Sequence, residues 1–139
     1  ADGAVIADVA ELLRGFDADV YYVPLGIGNH VDHQLVYRAG VWLSKRGYMV
    51  WAYADLPYAL DEATYGGTRQ LTEQGEPRFL PVNAVAFDRK WTAIQCYASQ
   101  LPVIFRNMND PRAAFERYHR GVGSGELAEV VWRVERGVT

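Results

Sequence analysis

The sequence predicts an α/β fold: a three-layer sandwich with a mainly parallel sheet and helices on both faces. Three observations carry this. A helix-like opening gives way to a strand-like segment, the next two elements repeat the alternation, and the connections between them are short. Short strand–helix–strand units favour right-handed crossovers, which align consecutive strands in parallel.

Residues 4–15 read as an amphipathic helix, with Val5, Val9, Leu12 and Leu13 near one face and Gly15 and Asp17 as its stop. "DVYYVP" at 19–24 follows as a strand. "LGIGNH" at 25–30 is a glycine-bearing loop, and Asn29 with Asp32 has the form of a helix cap and its reciprocal acidic partner. A second helix is expected from about residue 30 to Arg46. Leu35, Val36, Ala39, Trp42 and Leu43 form its broad apolar face, and Gly47 ends it. "YMVWAY" at 48–53 suits a mostly buried strand. The polar stretch 61–77 reads as a surface excursion, 77–83 as a short strand, 88–101 as a helix with Asp88 near its cap, and 111–120 as a helix with Pro111 in its first turn. Near the end, Val130, Trp132 and Val134 alternate in the manner of an edge strand.

A length of 139 residues supports one sizeable core and makes one domain the default. The charge of -3 gives no electrostatic reason to expect a nucleic-acid partner. No apolar stretch is long enough to span a bilayer, and a signal-peptide pattern is missing from the first residues. Cys96 is the only cysteine; it cannot form an internal disulfide, reads as a buried inert thiol, and fits a cytoplasmic setting. The chain begins without methionine and directly on a helical pattern, which leads to the expectation of a portion of something longer.

The chemistry concentrates in "GNHVDHQLVYRAG", residues 28–40, where His30, Asp32 and His33 fall within four positions at the start of a helix. His30 and His33 can share one side of the first turn, while Asp32 points about 100° from His33. The positive end of a helix disfavours imidazolium and so favours a neutral, metal-binding imidazole. The same residues also suit a polar helix cap with solvent-facing rings. A catalytic zinc site needs three protein ligands and an open position. Asp55, Asp61, Glu62 and His119 are the other candidates, and none has compelling spacing; His119 reads as a structural or solvent-facing residue on a surface helix. Trp42, Trp51, Trp91 and Trp132 read as packing residues.

"PLGIGNHVDHQLVYRAG", "YADLPYAL" at 53–60 and "KWTAIQCYASQLPVI" at 90–104 resemble, in order, three segments of the LmbE-like or PIG-L family of zinc-dependent N-acetylglucosaminyl deacetylases. The first carries that family's His-x-Asp-His signature. The family's other signature, His-Pro-Asp-Asp, has no match here. The resemblance therefore implies a Rossmann-like fold present as a truncated portion, with residues 1–139 the carboxyl-terminal part of a single deacetylase domain. An amino-terminal half, as a missing segment or a separate chain, is the implied partner.

Carried over, the resemblance implies Zn2+ as cofactor with His33 as metal ligand. His30 would stabilise the oxyanion or protonate the leaving amine, and Asp32 would orient His30. The substrate is implied to be an N-acylated glucosamine or related glycoconjugate. Gly26, Gly28 and Asn29 would shape the pocket wall, and Asn29, Tyr58, Tyr65 and Arg69 are candidate substrate contacts. Some relatives have an aromatic residue where Gly28 and Asn29 stand. Tyr97 stands where relatives often have histidine and is left out of the catalytic set. The alternative is a non-catalytic sugar-binding or regulatory domain that keeps the fold.

Overall fold

The computed structural model describes residues 2–16, 18–61, 64–65 and 75–135. In order along them come α1 (Asp2–Arg14), β1 (Val20–Pro24), α2 (Val31–Lys45), β2 (Met49–Tyr53), a 3-10 turn (Tyr58–Leu60), β3 (Pro77–Pro81), α3 (Ala84–Gln95), α4 (Leu101–Ile104), α5 (Pro111–Val122) and β4 (Ala128–Arg133). The strand order is β1-β2-β4-β3. By internal contacts the chain divides into two compact units, Ala1–Arg78 with Val131–Thr139, and Phe79–Val130.

The expected crossover holds where it was best specified. β1 and β2 are parallel, with Val20 opposite Met49 and Pro24 opposite Tyr53, and α2 lies between them in sequence. β4 is antiparallel to β2, pairing Trp51 with Arg133 and Tyr53 with Val131, so the sheet is mixed. The crossover rule governs strands joined by one helix, and β4 follows β2 only after several intervening elements, which leaves its direction free. β4 also lies between β2 and β3 rather than at an edge. Val131 is buried along with Val130 and Trp132, and such two-sided burial marks an interior strand.

In the first unit, α2 covers one face of β1 and β2. Val23, Val50 and Ala52 meet Ala39 and Leu43 in its core. Contact is closest at Gly40, where an added Cβ would sit 2.9 Å from Val23 Cγ2 and 3.2 Å from Val50 Cγ1. Both neighbours are β-branched and stiff, so Gly40→Ala is expected to lower stability by about 1–2 kcal/mol despite alanine's better helix propensity. Thermal unfolding checks this. α1 packs mainly on α2 and buries a narrow stripe around Ala10, so Val5 and Leu12 of the expected apolar face stay exposed. Tyr21 Oη donates to the carbonyls of Leu13 and Phe16 at 3.1 and 3.0 Å, which ties the end of α1 to β1.

The other face of these strands carries Tyr22, Met49 and Tyr53, all exposed, around a half-buried Trp51. Arg133 and Arg78 lie over the Trp51 ring at 5.6 and 5.9 Å. Among the described residues of this unit, the expected helix layer is present on one side of the sheet only.

In the second unit, α3 starts at Ala84 because Asn83, in extended conformation, caps it by accepting from Ala86 N at 2.8 Å. Asp88, expected near the cap, instead pairs with Arg112. α5 begins as expected, with Asp110 accepting from Ala113 N ahead of Pro111. Phe87, Trp91, Phe105 and Phe115 form an aromatic core with His119. His119 is fully buried rather than on a surface, and its Nδ1 donates to Phe115 O at 2.7 Å. His119 and the Lys90 ammonium, 2.8 Å from Glu129, hold the Glu129 carboxyl down to about 2 against the opposing effect of burial. Cys96 is exposed at the end of α3, contrary to the buried thiol expected, because the helix stops there and turns its last side chains outward.

Candidate functional site

The loop between β1 and α2 takes its shape from three residues with left-handed backbone: Gly26 (φ 88), Gly28 (φ 87) and Asn29 (φ 58). Glycine is required at 28 on two grounds. Its φ is unfavourable for other residues, and an added Cβ would lie 3.0 Å from Tyr58 Cγ. Asn29 tolerates the conformation and closes the turn through its amide to Gly26 O at 3.2 Å. It therefore does not cap the helix as expected. His30 holds the cap position with extended dihedrals and no side-chain cap bond, and the Asn29 side chain accepts from Gln34 Nε2 at 3.3 Å.

Parallel neighbours β1 and β2 end side by side, and Leu25 N extends the pairing to Tyr53 O at 2.9 Å. The loops leaving their carboxyl ends consequently meet, where α/β folds place their ligands. Asp55, two residues past β2, is 2 % exposed. Its Oδ2 accepts from the amides of Gly26 and Ile27 at 2.8 and 2.9 Å, and its Oδ1 lies 2.7 Å from His33 Nδ1. Oδ1 and Nδ1 are both buried and face each other at ion-pair distance, and neither makes a hydrogen bond of regular geometry among the described residues. A carboxylate can only accept, so this approach requires the proton on Nδ1, and Nε2 is the nitrogen not engaged with Asp55 on a ring that is 34 % exposed.

His30 is exposed. Its ring centroid lies 4.5 Å from that of Tyr58 and 5.6 Å from that of His33, and the Tyr58 ring stands edge-on to His33 at 6.2 Å. His30, His33, Asp55 and Tyr58 thus form one constellation within the first unit. Asp32 is exposed in the first turn of α2 and makes no hydrogen bond or ion pair among the described residues. The carboxylate that meets a histidine here is Asp55, which sequence reasoning named only as one of several candidates. Its signal was the position, an acidic residue just past a strand parallel to the one that feeds the His30 loop.

Of the remaining candidates, Tyr65 is half-buried with its amide bonded to Asp61 O at 2.9 Å. Arg69 and Glu62 lie outside the described residues. Asp61 accepts from Thr64 Oγ1 at 2.5 Å, and Tyr97 is exposed in the second unit.

His33 has the form of one metal ligand: an imidazole with a carboxylate behind Nδ1 and Nε2 on the other side of the ring. Among the described residues no group of three His, Cys, Asp or Glu side chains is placed to hold a metal ion. The donor set fits one corner of a zinc site. Among the same residues no helix is long and apolar enough to cross a membrane.

No protein-family model matches the chain. It is 44% identical over 73 residues to 2'-N-acetylparomamine deacetylase of Streptomyces fradiae, a match covering 51% of this chain and 26% of that protein. Its fold is similar to that of teicoplanin deacetylase Orf2 in a zinc-inhibited form, with TM-score 0.77 at 22% identity over 95% of this chain and 50% of that one. It is likewise similar to the A40926 pseudoaglycone deacetylase Dbv21, with TM-score 0.77 at 24% identity over 99% of this chain and 60% of that one. The chain spans about half the length of these solved structures.

Proposed function

We propose that the chain belongs to the LmbE-like or PIG-L deacetylases and forms the carboxyl-terminal portion of one such domain. In this reading the whole protein hydrolyses the amide of an N-acetylated amino sugar or related glycoconjugate in a cytoplasmic setting. The observation that carries it is His33, with a buried carboxylate behind Nδ1, inside the His-x-Asp-His signature at the carboxyl end of β1. The stretch that is 44% identical to a 2'-N-acetylparomamine deacetylase supports an amino-sugar substrate, and the fold shared with the teicoplanin and A40926 pseudoaglycone deacetylases supports the same architecture.

His33 would hold zinc together with ligands supplied by an amino-terminal segment outside the described residues. When bound, zinc polarises the acyl carbonyl and activates water. A base from the same amino-terminal segment would take the proton of the attacking water, and the chain's own residues supply the other roles. Asp55 and the loop amides fix the His33 ring, and His30 protonates the departing amine nitrogen and supports the charge that develops on the acyl oxygen. Asp32 contributes negative charge beside His30. Tyr58 holds the His30 ring, and Tyr58, Asn29 and Tyr65 would contact the substrate; Arg69, outside the described residues, is proposed for the same role from the sequence alone.

The absence of a three-ligand group among the described residues keeps a non-catalytic sugar-binding domain as the second reading. Incubating an N-acetylated aminoglycoside with the full-length protein and with residues 1–139 alone separates the two. Zinc-dependent release of acetate by the full-length protein, and none by the isolated chain, is expected. Turnover by the isolated chain refutes the split site, and no turnover by a zinc-loaded full-length protein on a panel of N-acetyl amino sugars favours the binding domain.

A further inference from the structure

We infer that Asp55 is a positioning residue that sets the tautomer of His33; its consequence for metal binding rests on the reading of His33 as a ligand. The carboxylate is almost wholly buried and its two oxygens face different donors: Oδ2 accepts from the Gly26 and Ile27 amides, and Oδ1 lies 2.7 Å from His33 Nδ1. Two backbone N–H groups can only donate. They fix which end of the side chain must be an acceptor, and the carboxylate symmetry then makes the other end an acceptor as well.

Asparagine at this position breaks that symmetry without changing the shape. Its carbonyl oxygen must take the place of Oδ2, because an NH2 group there would face two donors. The NH2 group is then directed at His33 Nδ1 and requires a lone pair on it. The proton moves to Nε2, and the nitrogen offered to a metal no longer has a free lone pair. The two loop hydrogen bonds survive. Asp55→Asn therefore separates the positioning of His33 from the support of the 25–30 loop, which a truncation to alanine would remove together.

The test is a long-range 1H–15N spectrum of the imidazoles of the zinc-free full-length protein carrying these residues, at mildly alkaline pH, where a free imidazole is neutral. Loss of one set of peaks in His33→Gln assigns the signal. Wild type is expected to show His33 protonated at Nδ1, and Asp55→Asn to show it protonated at Nε2. A wild-type His33 protonated at Nε2 overturns the inference even if the variant fails to fold. An unchanged tautomer in a folded Asp55→Asn chain overturns it too, and leaves Asp55 as a support for the loop.

Zinc affinity of the full-length protein, measured by chelator competition, is expected to fall about 10–100-fold in Asp55→Asn. An inverted tautomer with unchanged zinc affinity supports the positioning role and overturns the metal-ligand role of His33, so the two claims fail separately.

Discussion

His33→Ala in the full-length protein is expected to remove zinc from the site and to lower kcat/KM by about 10³-fold or more. Lewis-acid assistance is worth several kcal/mol of transition-state stabilisation, and each 1.36 kcal/mol is tenfold in rate. The substitution also removes the imidazole that faces the buried Asp55 Oδ1, and a buried oxygen left without a facing donor costs about 1–3 kcal/mol of stability. The loss of activity must therefore be read beside an unfolding curve. Metal analysis of the folded fraction decides between the two effects: zinc retained at full occupancy by folded His33→Ala would remove His33 from the ligand set.

His30→Gln is expected to behave differently because His30 is exposed and its contacts are few. Stability should change by no more than about 0.5 kcal/mol, zinc should stay bound, and kcat should fall about 10²–10⁴-fold with little change in KM. That pattern identifies a proton donor. A matched rise in KM with unchanged kcat would instead make His30 a ground-state substrate contact, held against Tyr58.

The contrast between the two histidines was only half legible in the sequence. Spacing placed both on the first turn of a helix, and the helix, both flanking strands and their parallel pairing follow from the apolar pattern at 19–53. What separates them is a residue more than twenty positions away. Asp55 reaches His33 because β1 and β2 end together, a consequence of register that a linear pattern does not contain. Asn29 misled for a related reason: its preference for helix caps and its tolerance of left-handed backbone compete, and the turn closed on Gly26 took the second. The antiparallel entry of β4 was hidden for the same kind of reason, since alternation in Val130, Trp132 and Val134 reports burial and not direction.

Tertiary placement also decided residues whose local reading was sound. His119 lies on the helix foreseen for it, yet its ring is turned into an aromatic cluster and bonded to Phe115 O, which removes it as a surface or metal-binding candidate within its unit. Cys96 has helical neighbours, but the helix ends at that position and leaves the thiol exposed.

The most direct test of the central claim is anomalous diffraction at the zinc edge from crystals of the full-length protein carrying these residues. The account predicts a zinc peak about 2.0–2.1 Å from His33 Nε2, with Asp55 still on Nδ1 and the other ligands drawn from outside residues 1–139. A zinc peak that does not touch His33, or that is bound through Nδ1 with Asp55 displaced, would contradict it.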